Sequence, residues 1–365
     1  MPTCITHVMR AMGERIPVLW IDSIGTRMPS LGARGDRRRI WRRLRQCGRA
    51  VHRENWLSSL APLLIPMPRS RLARMLNRFL FALQTLPWRL RHPAGVTEYW
   101  CATPNATDLL PPSGGRVIYY AVDDWSRFAH LDGVRLEAEE RRLLKRADVV
   151  LTPARFLVDK LKQAARELGR PDLPIRLASH GVNWRQFNTA LDPALPIPTV
   201  LAACARPRIG FYGNLDTWID YELVADLARR RPSWTFVLVG PVKTDLARLR
   251  ALPNVLMPGR IEHAELPTWC KGFDTAMIPY NPRDPRMTSV NPVKLKELLA
   301  AGVPVVACDI PELHGWGDDV RVCRSIDEWL AALEAQAGRQ DRAAISERVA
   351  GEDWSVKVAE IRGGL

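Results

Sequence analysis

Two charged side chains lie three residues apart in the stretch SVNPVKLKELLAAGVPVVACD, residues 289–309. Its leucines at helical spacing predict a helix, with Asn291 as N-cap, Pro292 at the first position and a glycine at the end. Lys294 and Glu297 share one face near the helix N-terminus, where free N–H groups attract anions. The pair suits a ligand that carries both an anionic group and hydroxyls; a surface ion pair is the alternative.

A second pair of acidic residues follows the predicted strand in RVIYYAVDDWSRF. Asp123 and Asp124 come at the carboxyl end of that strand, and burying an unpaired carboxylate is unfavourable. Adjacent carboxylates there are therefore candidates for chemistry rather than for a core. The alternative is an N-cap for the next helix, with Trp125 packing above it. Arg127 and His130 follow, and either could orient a phosphate.

Strand-like and helix-like runs alternate from residue 18 onward, which indicates an α/β fold. The predicted strands include 174–183, 208–213, 234–240 and 254–259, and one predicted helix spans 326–337. A proline-rich stretch near residue 200 separates two such series, so we expect two Rossmann-like doubly wound domains facing across a cleft. Ligands of such sheets bind beyond the carboxyl ends of the strands. The predicted limits are 1–190 for the first domain, 191–207 for a linker, 208–340 for the second domain and 341–365 for a C-terminal helix.

The first recognisable element is a helix, THVMRAMGERI, which leads directly into the strand-like run VLWID. A Rossmann-like domain normally opens with a strand and a loop. We therefore expect the first sheet to lack its first strand, unless the true start lies upstream of Met1.

The net charge is concentrated at one end of the chain. Residues 1–100 contain 18 arginines, no lysine and five acidic residues, a formal charge of +13; the remainder carries 35 basic and 34 acidic residues, a charge of +1. The arginines concentrate in residues 34–49 and 69–92, and in 69–92 they are interleaved with Leu, Met and Phe as in a basic amphipathic helix. This pattern favours contact of residues 34–92 with an anionic membrane surface. A helix face packed on a core is the alternative. No nucleic-acid-binding motif accompanies the arginines, so specific nucleic-acid binding is not expected.

Cysteine content and hydropathy bear on the compartment. The seven cysteines form no CxxC pair, which argues against a disulfide framework and a zinc site. No run of 18 apolar residues and no signal-peptide pattern is present. We expect a cytoplasmic protein, peripheral on the inner face of the plasma membrane, with no metal and no cofactor.

Several stretches between about residues 96 and 356 carry a resemblance to a known family. They are NPVKLKELLAAGVPVVACDIPEL, RIGFYGNL, FVLVGP, NVLMPGRIEHAELPTWCKGFDTAMIPYN and RADVVLTPARFLVDKL followed by ASHGVNWRQF. With them the chain resembles GT-B glycosyltransferases of the glycogen-synthase-like family 4, or "group 1", set. The resemblance implies transfer of a sugar from a nucleotide diphosphate sugar to an acceptor, with 1–190 as the acceptor-side domain, 208–340 as the nucleotide-sugar-binding domain and 341–365 as a helix that crosses back to the first domain.

The resemblance also implies roles for particular residues. In the family, the glutamate at the position of Glu297 holds the ribose hydroxyls of the donor, above a helix N-terminus that receives the pyrophosphate. The residues expected at the donor nucleotide sugar are Glu297, Lys294, Ser289, Thr288, Asn291, Gly213, Asn214 and Arg286. Those expected to be catalytic are Asp123 and Asp124, and those at the acceptor or the cleft are Trp125, Arg127, His130 and His180.

The sequence departs from the family pattern in two places. Many members carry a second glutamate eight residues before the ribose-binding one, where this chain has Ser289. Many also carry an arginine and a lysine soon after the first strand of the second domain, where this chain has Asn214 and nearby aspartates. Arg286 and Lys294 are the candidates to supply the missing charge.

The sequence therefore predicts a glycosyltransferase that moves a hexose from a UDP- or GDP-sugar to a polysaccharide or lipid-linked glycan acceptor. Family analogy favours retention of the anomeric configuration. The alternative is a non-catalytic relative that binds a nucleotide sugar or glycan without turnover.

Overall fold

The computed structural model describes most of the chain. The described residues are 4–13, 16–22, 51–54, 57–65, 67, 70–92, 96, 98–128 and 131–363. The arginine-rich residues 34–49 and His130 lie outside them. By internal contacts the chain divides into two compact units, between Ala178 and Ser179. The predicted limits of the functional domains stay a prediction.

The first unit contains a parallel sheet and a smaller mixed sheet. Its strands are β1 Val18–Ile21, β2 Val51–Glu54, β3 Leu57–Leu60, β4 Glu98–Cys101, β5 Arg116–Tyr120, β6 Val149–Thr152 and β7 Ile175–Leu177. The small sheet has the order β1-β3-β2, in which β1 is parallel and β2 antiparallel to β3. The larger sheet has the order β4-β5-β6-β7, and all its pairs are parallel.

Helices connect these strands. They are α1 Cys4–Gly13, α2 Arg71–Arg91, α3 Gly133–Leu144 and α4 Arg155–Glu167. α3 follows β5 and α4 follows β6, so both lie in β-α-β crossovers of the parallel sheet. Residues of β5 and β6 are almost wholly buried, together with leucines of α3 and α4. This core fixes where the carboxyl end of β5 presents Asp123 and Asp124.

The second unit is built on one sheet of six parallel strands. These are β8 Arg208–Tyr212, β9 Thr235–Val239, β10 Val255–Gly259, β11 Thr275–Ile278, β12 Val305–Cys308 and β13 Val320–Cys323. Their order is β10-β9-β8-β11-β12-β13. In sequence order this is 3-2-1-4-5-6, the arrangement of a doubly wound nucleotide-binding sheet. The order reverses between β8 and β11, and the carboxyl ends there are the expected ligand position.

Helices precede, separate and follow the strands of the second unit. They are α5 Trp184–Asn188, α6 Thr199–Ala202, α7 Tyr221–Arg230, α8 Ala247–Arg250, α9 Leu266–Gly272, α10 Val293–Ala300, α11 Ile326–Ala337, α12 Arg342–Arg348 and α13 Trp354–Gly363. Almost every residue of β8, β9, β11 and β12 is buried, as continuous apolar runs in a parallel sheet require. The α/β class with parallel sheets is therefore confirmed.

Candidate functional site

The helix that carries Lys294 and Glu297 begins later than the sequence predicts. α10 starts at Val293, and Pro292 precedes it with φ −78° and ψ 108°, outside the helical region. The prediction that Asn291 caps the helix and Pro292 opens it is therefore wrong by one residue. The ring of Pro292 fixes φ in a range that both helical and extended backbone share, and its ψ of 108° places the residue in the extended region. The glycine after the helix, Gly302, adopts φ +70° as expected.

The carboxylate of Glu297 is held by two side chains from elsewhere in the second unit. Its Oε1 lies 2.8 Å from Nε2 of His263, and its Oε2 accepts a 2.8 Å hydrogen bond from the hydroxyl of Tyr212. Burial, together with the charge of Glu297, raises the pKa of Tyr212 well above its usual range, so the phenol stays a donor. Each carboxylate oxygen has a second lone pair, and a vicinal diol can bind to both.

Lys294 lies between two aromatic rings rather than against a carboxylate. Its Nζ is 4.3 Å from the ring centroid of Phe211 and 5.1 Å from that of Tyr280. Burial lowers the pKa of Lys294 to about 7, and the charge of Glu297 opposes the shift. The alternative interpretation, an ion pair between Lys294 and Glu297, is not found; Glu297 contacts His263 instead.

Glycines stand at the carboxyl ends of three neighbouring strands, and one of them, Gly213, lies beside Lys294. Gly213, Gly240 and Gly259 follow or close β8, β9 and β10, all with positive φ. The N–H of Gly213 donates to Val239 and that of Gly240 to Gly259. A Cβ at Gly213 would press on the ammonium of Lys294, and one at Gly240 would collide with the carbonyl of Gly213. The glycines leave room at the carboxyl ends for backbone to approach a ligand closely.

The other predicted donor-site residues are engaged in local contacts. The hydroxyl of Ser289 donates to the carbonyl of Arg286 over 3.1 Å, and that of Thr288 donates to Pro285 over 2.7 Å. Arg286 forms an ion pair with Asp284, and its guanidinium lies over the ring of Trp218. Asn214 is exposed just after β8. Their binding of a donor stays a prediction, and an anion at Arg286 would compete with Asp284.

In the first unit, the two acidic residues after β5 differ in environment. Asp124 is buried and accepts hydrogen bonds from Ser126 (2.6 Å), Arg127 (3.0 Å) and Lys160 (2.7 Å). Burial favours its neutral form, but the hydrogen bonds from Lys160 and Ser126 outweigh it and lower the pKa of Asp124. Burial and the charge of Asp124 raise the pKa of Asp123 to about 6. Asp123 is thus the member of the pair poised near neutral pH.

Asp124 belongs to a chain of polar contacts that continues through Lys160 to Glu140 and Tyr119. Lys160, on α4, also lies 3.6 Å from Glu140 on α3, and the hydroxyl of Tyr119 donates to Glu140 over 2.5 Å. Burial raises the pKa of Glu140, opposed by the charge of Lys160. Sequence reasoning did not single out Lys160, because nothing in the pattern of α4 distinguishes it from neighbouring lysines.

The alternative role of Asp124, an N-cap for the next helix, is not supported by a capping hydrogen bond to its side chain. Asp124 precedes a short 3₁₀ turn, Trp125–Arg127, without a capping hydrogen bond from its carboxylate. Trp125 lies beside Phe128, with ring centroids 5.7 Å apart. Within the described residues, its buried indole Nε1 has no hydrogen-bond partner. The guanidinium of Arg127 stacks over the ring of Phe156.

His180 belongs to the second unit and is buried beside a cation. The ammonium of Lys296 donates to the carbonyl of His180 and to Glu352, and lies 3.3 Å from Oγ of Ser179. Burial and the charge of Lys296 lower the pKa of His180 to about 3, so the ring is neutral. These contacts suit a structural role, and a ligand role stays a prediction.

The described side chains form no metal site. Over residues 4–363, leaving aside the gaps given above, no three His, Cys, Asp or Glu side chains form a group that could hold a metal ion. The charges described at the carboxyl ends of the second sheet include those of Lys294 and Glu297.

The six-stranded sheet, its terminal glycines and the α/β first unit together define the GT-B fold. Residues 206–336 match the family model "Glycosyl transferases group 1", so the resemblance seen in the sequence is confirmed for this part of the chain.

One curated relative is TuaH of Bacillus subtilis (strain 168), a glycosyltransferase assigned provisionally to teichuronic acid biosynthesis. It is 30% identical over 183 residues, which are 48% of this chain. The match spans 44% of that relative's length.

Solved structures share the fold across nearly the whole chain. Anabaena HepE, crystallised with UDP, superposes with a TM-score of 0.66 at 14% identity, over 99% of this chain and 94% of its own. Sucrose-phosphate synthase from Thermosynechococcus elongatus gives a TM-score of 0.62 at 14% identity, over 96% of this chain and 98% of its own. At this level of identity the likeness shows the fold.

Proposed function

We propose that this protein is a glycosyltransferase that moves a hexose from a UDP- or GDP-sugar to a polysaccharide or lipid-linked glycan acceptor. The observation that carries the proposal is the carboxylate of Glu297, oriented by His263 and Tyr212 beside the ammonium of Lys294. A carboxylate binds a ribose diol and an ammonium binds a diphosphate, so the pair fits the ribose and the diphosphate of a nucleoside diphosphate. The UDP-bound state of the similar Anabaena HepE supports this choice of ligand.

The same residues would assist the reaction. When the bond between the sugar C1 and the diphosphate oxygen breaks, negative charge develops on the departing diphosphate. Lys294 and the N–H groups at the start of α10 stabilise that charge where it forms. A bound diphosphate also raises the affinity of Lys294 for its proton, so the lysine is cationic in the complex.

Asp123 is the proposed catalytic carboxylate of the first unit. The oxygens of Asp124 already accept three hydrogen bonds, which leaves Asp124 as the residue that positions its neighbour. Asp123 is ionised above about pH 6 and can accept a hydrogen bond from the transferred sugar or the acceptor. We propose retention of configuration on family analogy.

The proposed glycan acceptor is supported by one relative. The name of TuaH places that protein in teichuronic acid biosynthesis, which supports a glycan acceptor here. Within the described part of the chain, no helix is long and apolar enough to cross a membrane. We propose action at the cytosolic membrane face, with the basic residues 34–92 contacting anionic lipid.

A non-catalytic nucleotide-sugar-binding protein is the second candidate. The ion pair of Arg286 with Asp284 favours it, because that arginine is then not free to stabilise the negative charge that develops on a departing diphosphate during turnover.

The two candidates differ in a turnover assay with UDP- and GDP-hexoses, in which release of UDP or GDP is followed with and without glycan acceptors. An enzyme releases the nucleotide, and Asp123→Asn loses release while nucleotide binding survives. Tight binding of UDP or GDP with no release under any acceptor would establish the second candidate.

A further inference from the structure

Helix α2, Arg71–Arg91, packs on its own unit through polar side chains. The amide of Asn77 bonds both the N–H (2.7 Å) and the carbonyl (3.0 Å) of Ile65. Two turns on, the amide of Gln84 makes the same two bonds to Leu63, at 2.8 and 3.1 Å. Both amides lie on one side of the helix and clip it to the extended segment 63–65.

Further contacts confirm which side of α2 faces the protein. Arg78 donates to the carbonyl of Asp108, and Arg74 lies 3.9 Å from the Asp108 carboxylate. The two buried residues of the helix, Ala73 and Thr85, are small. The inner side of α2 is therefore made of amides, arginines and small residues.

The outer side of α2 is apolar. Seven large hydrophobic side chains recur at helical spacing, each between 42% and 72% exposed. They are Leu72, Met75, Leu76, Phe79, Leu83, Leu86 and Leu90. We call these seven residues the outer stripe. A helix on a water-soluble domain normally turns its apolar stripe to the core, so the orientation of α2 is inverted. A continuous exposed stripe of this length marks an interaction surface.

The charge around the outer stripe selects the partner. α2 carries five arginines and no acidic residue. Arg71 and Arg89 are exposed and are spaced so that they lie along one edge of the stripe. Pairing with a second copy would bring like charges together along the seam. A lipid surface with anionic headgroups takes both the apolar side chains and the arginines at its edge.

We infer that α2 lies flat in the interface of an anionic bilayer, with the outer stripe inserted among the acyl chains and its amide side holding the protein. This inference rests on the proposed membrane-face action and deepens it, because it makes the partner a phosphatidylglycerol-like surface and the contact an insertion. The 21 residues of α2 extend about 31 Å along that surface.

The test is flotation of the full chain with mixed phosphatidylcholine–phosphatidylglycerol vesicles and with phosphatidylcholine alone. Phe79→Gln/Leu83→Gln removes two members of the outer stripe while glutamine keeps helix propensity. Val134→Gln/Leu177→Gln is the matched control, since it removes two exposed apolar side chains of the same unit outside α2. Circular dichroism and thermal unfolding check that each variant is folded.

We expect the native chain to bind the anionic vesicles, and part of that binding to survive high salt, because insertion is not screened. Phe79→Gln/Leu83→Gln should weaken binding by about tenfold or more, whereas the control should bind as the native chain does. Equal flotation of the stripe variant and the native chain would overturn the inference. So would a concentration-dependent dimer in sedimentation that the stripe variant abolishes, because the outer stripe would then join two copies.

The measurement uses no nucleotide sugar. A failure of vesicle binding would therefore not contradict the transferase proposal, and a failure to bind UDP or GDP would not contradict the insertion of α2.

Discussion

The affinity for a nucleoside diphosphate should fall as the pH rises from 6 to 8, because Lys294 loses its proton in that range. Its ammonium lies between the rings of Phe211 and Tyr280, and burial there lowers the pKa to about 7. Only the protonated amine attracts a diphosphate. The sign is set by this depression, since a lysine with its ordinary pKa of about 10.4 would stay charged throughout.

The size of the effect follows from the protonated fraction. With a pKa of about 7, roughly nine-tenths of Lys294 is charged at pH 6 and roughly one-tenth at pH 8. A ligand that requires the charged form then binds about tenfold more weakly at pH 8, a difference of about 1.4 kcal/mol.

The assay is isothermal titration calorimetry of UDP and GDP at pH 6, 7 and 8 and constant ionic strength. Lys294→Met should bind more weakly at pH 6 and lose the pH-dependent component. Lys162→Met, which removes an exposed lysine of the other unit, is the matched control and should keep the native profile. Ionisation of the nucleotide's own phosphate acts equally on all three proteins. The reasoning is refuted if Lys294→Met shows the same slope as the native chain.

Three further outcomes follow from the contacts described. Asp123→Asn should lose turnover while UDP affinity stays unchanged, and the native rate should rise with pH through about 6; steady-state kinetics beside calorimetry checks both. Asp124→Asn should lower the unfolding free energy by about 1.5–3 kcal/mol, since it removes the charge of a buried carboxylate that pairs with the partly exposed Lys160; unchanged denaturant unfolding would contradict this. Gly240→Ala should destabilise by about 1–3 kcal/mol through backbone collision and positive φ, measured as a lower Tm. Gly169→Ala, also at positive φ but facing open space, should lose less.

The strands of the second unit could be predicted closely because each is a buried apolar run. β8, β9 and β10 lie within the predicted runs 208–213, 234–240 and 254–259. Glycine closes or follows each run, and such punctuation is local information. α11, Ile326–Ala337, matches its predicted bounds for the same reason, with a Ser325–Glu328 capping box at its start.

The first unit was harder because its elements depend on distant partners. The predicted strand 174–183 shortens to β7, Ile175–Leu177, an edge strand that pairs only with β6. β2 and β3 were not predicted, since their polar residues show no alternation. The amphipathic pattern of α2 was recognised, but the pattern alone leaves open which side faces the protein. That depends on Asn77 and Gln84 meeting the segment 63–65.

The candidate site likewise contains residues that could be predicted from one local stretch and residues that are distant in sequence. Lys294 and Glu297 could be selected from one local stretch, because a helix start with a cation and a carboxylate is a sequence pattern. His263 lies 34 residues from Glu297, and Tyr212 lies 85 residues away. Only the strand order of the sheet brings them to one carboxylate. His263 carries no sequence signal of its own beyond following β10, and the sequence analysis missed it.

Calorimetry of UDP and GDP binding to Glu297→Ala tests the central claim most directly. Glu297→Ala should weaken binding of the preferred nucleotide about tenfold to a hundredfold, as hydrogen bonds to a charged group are worth about 1.5–3 kcal/mol. Glu222→Ala, an exposed carboxylate of the same unit, should bind as the native chain does. Unchanged affinity in a folded Glu297→Ala protein would contradict the donor site proposed here.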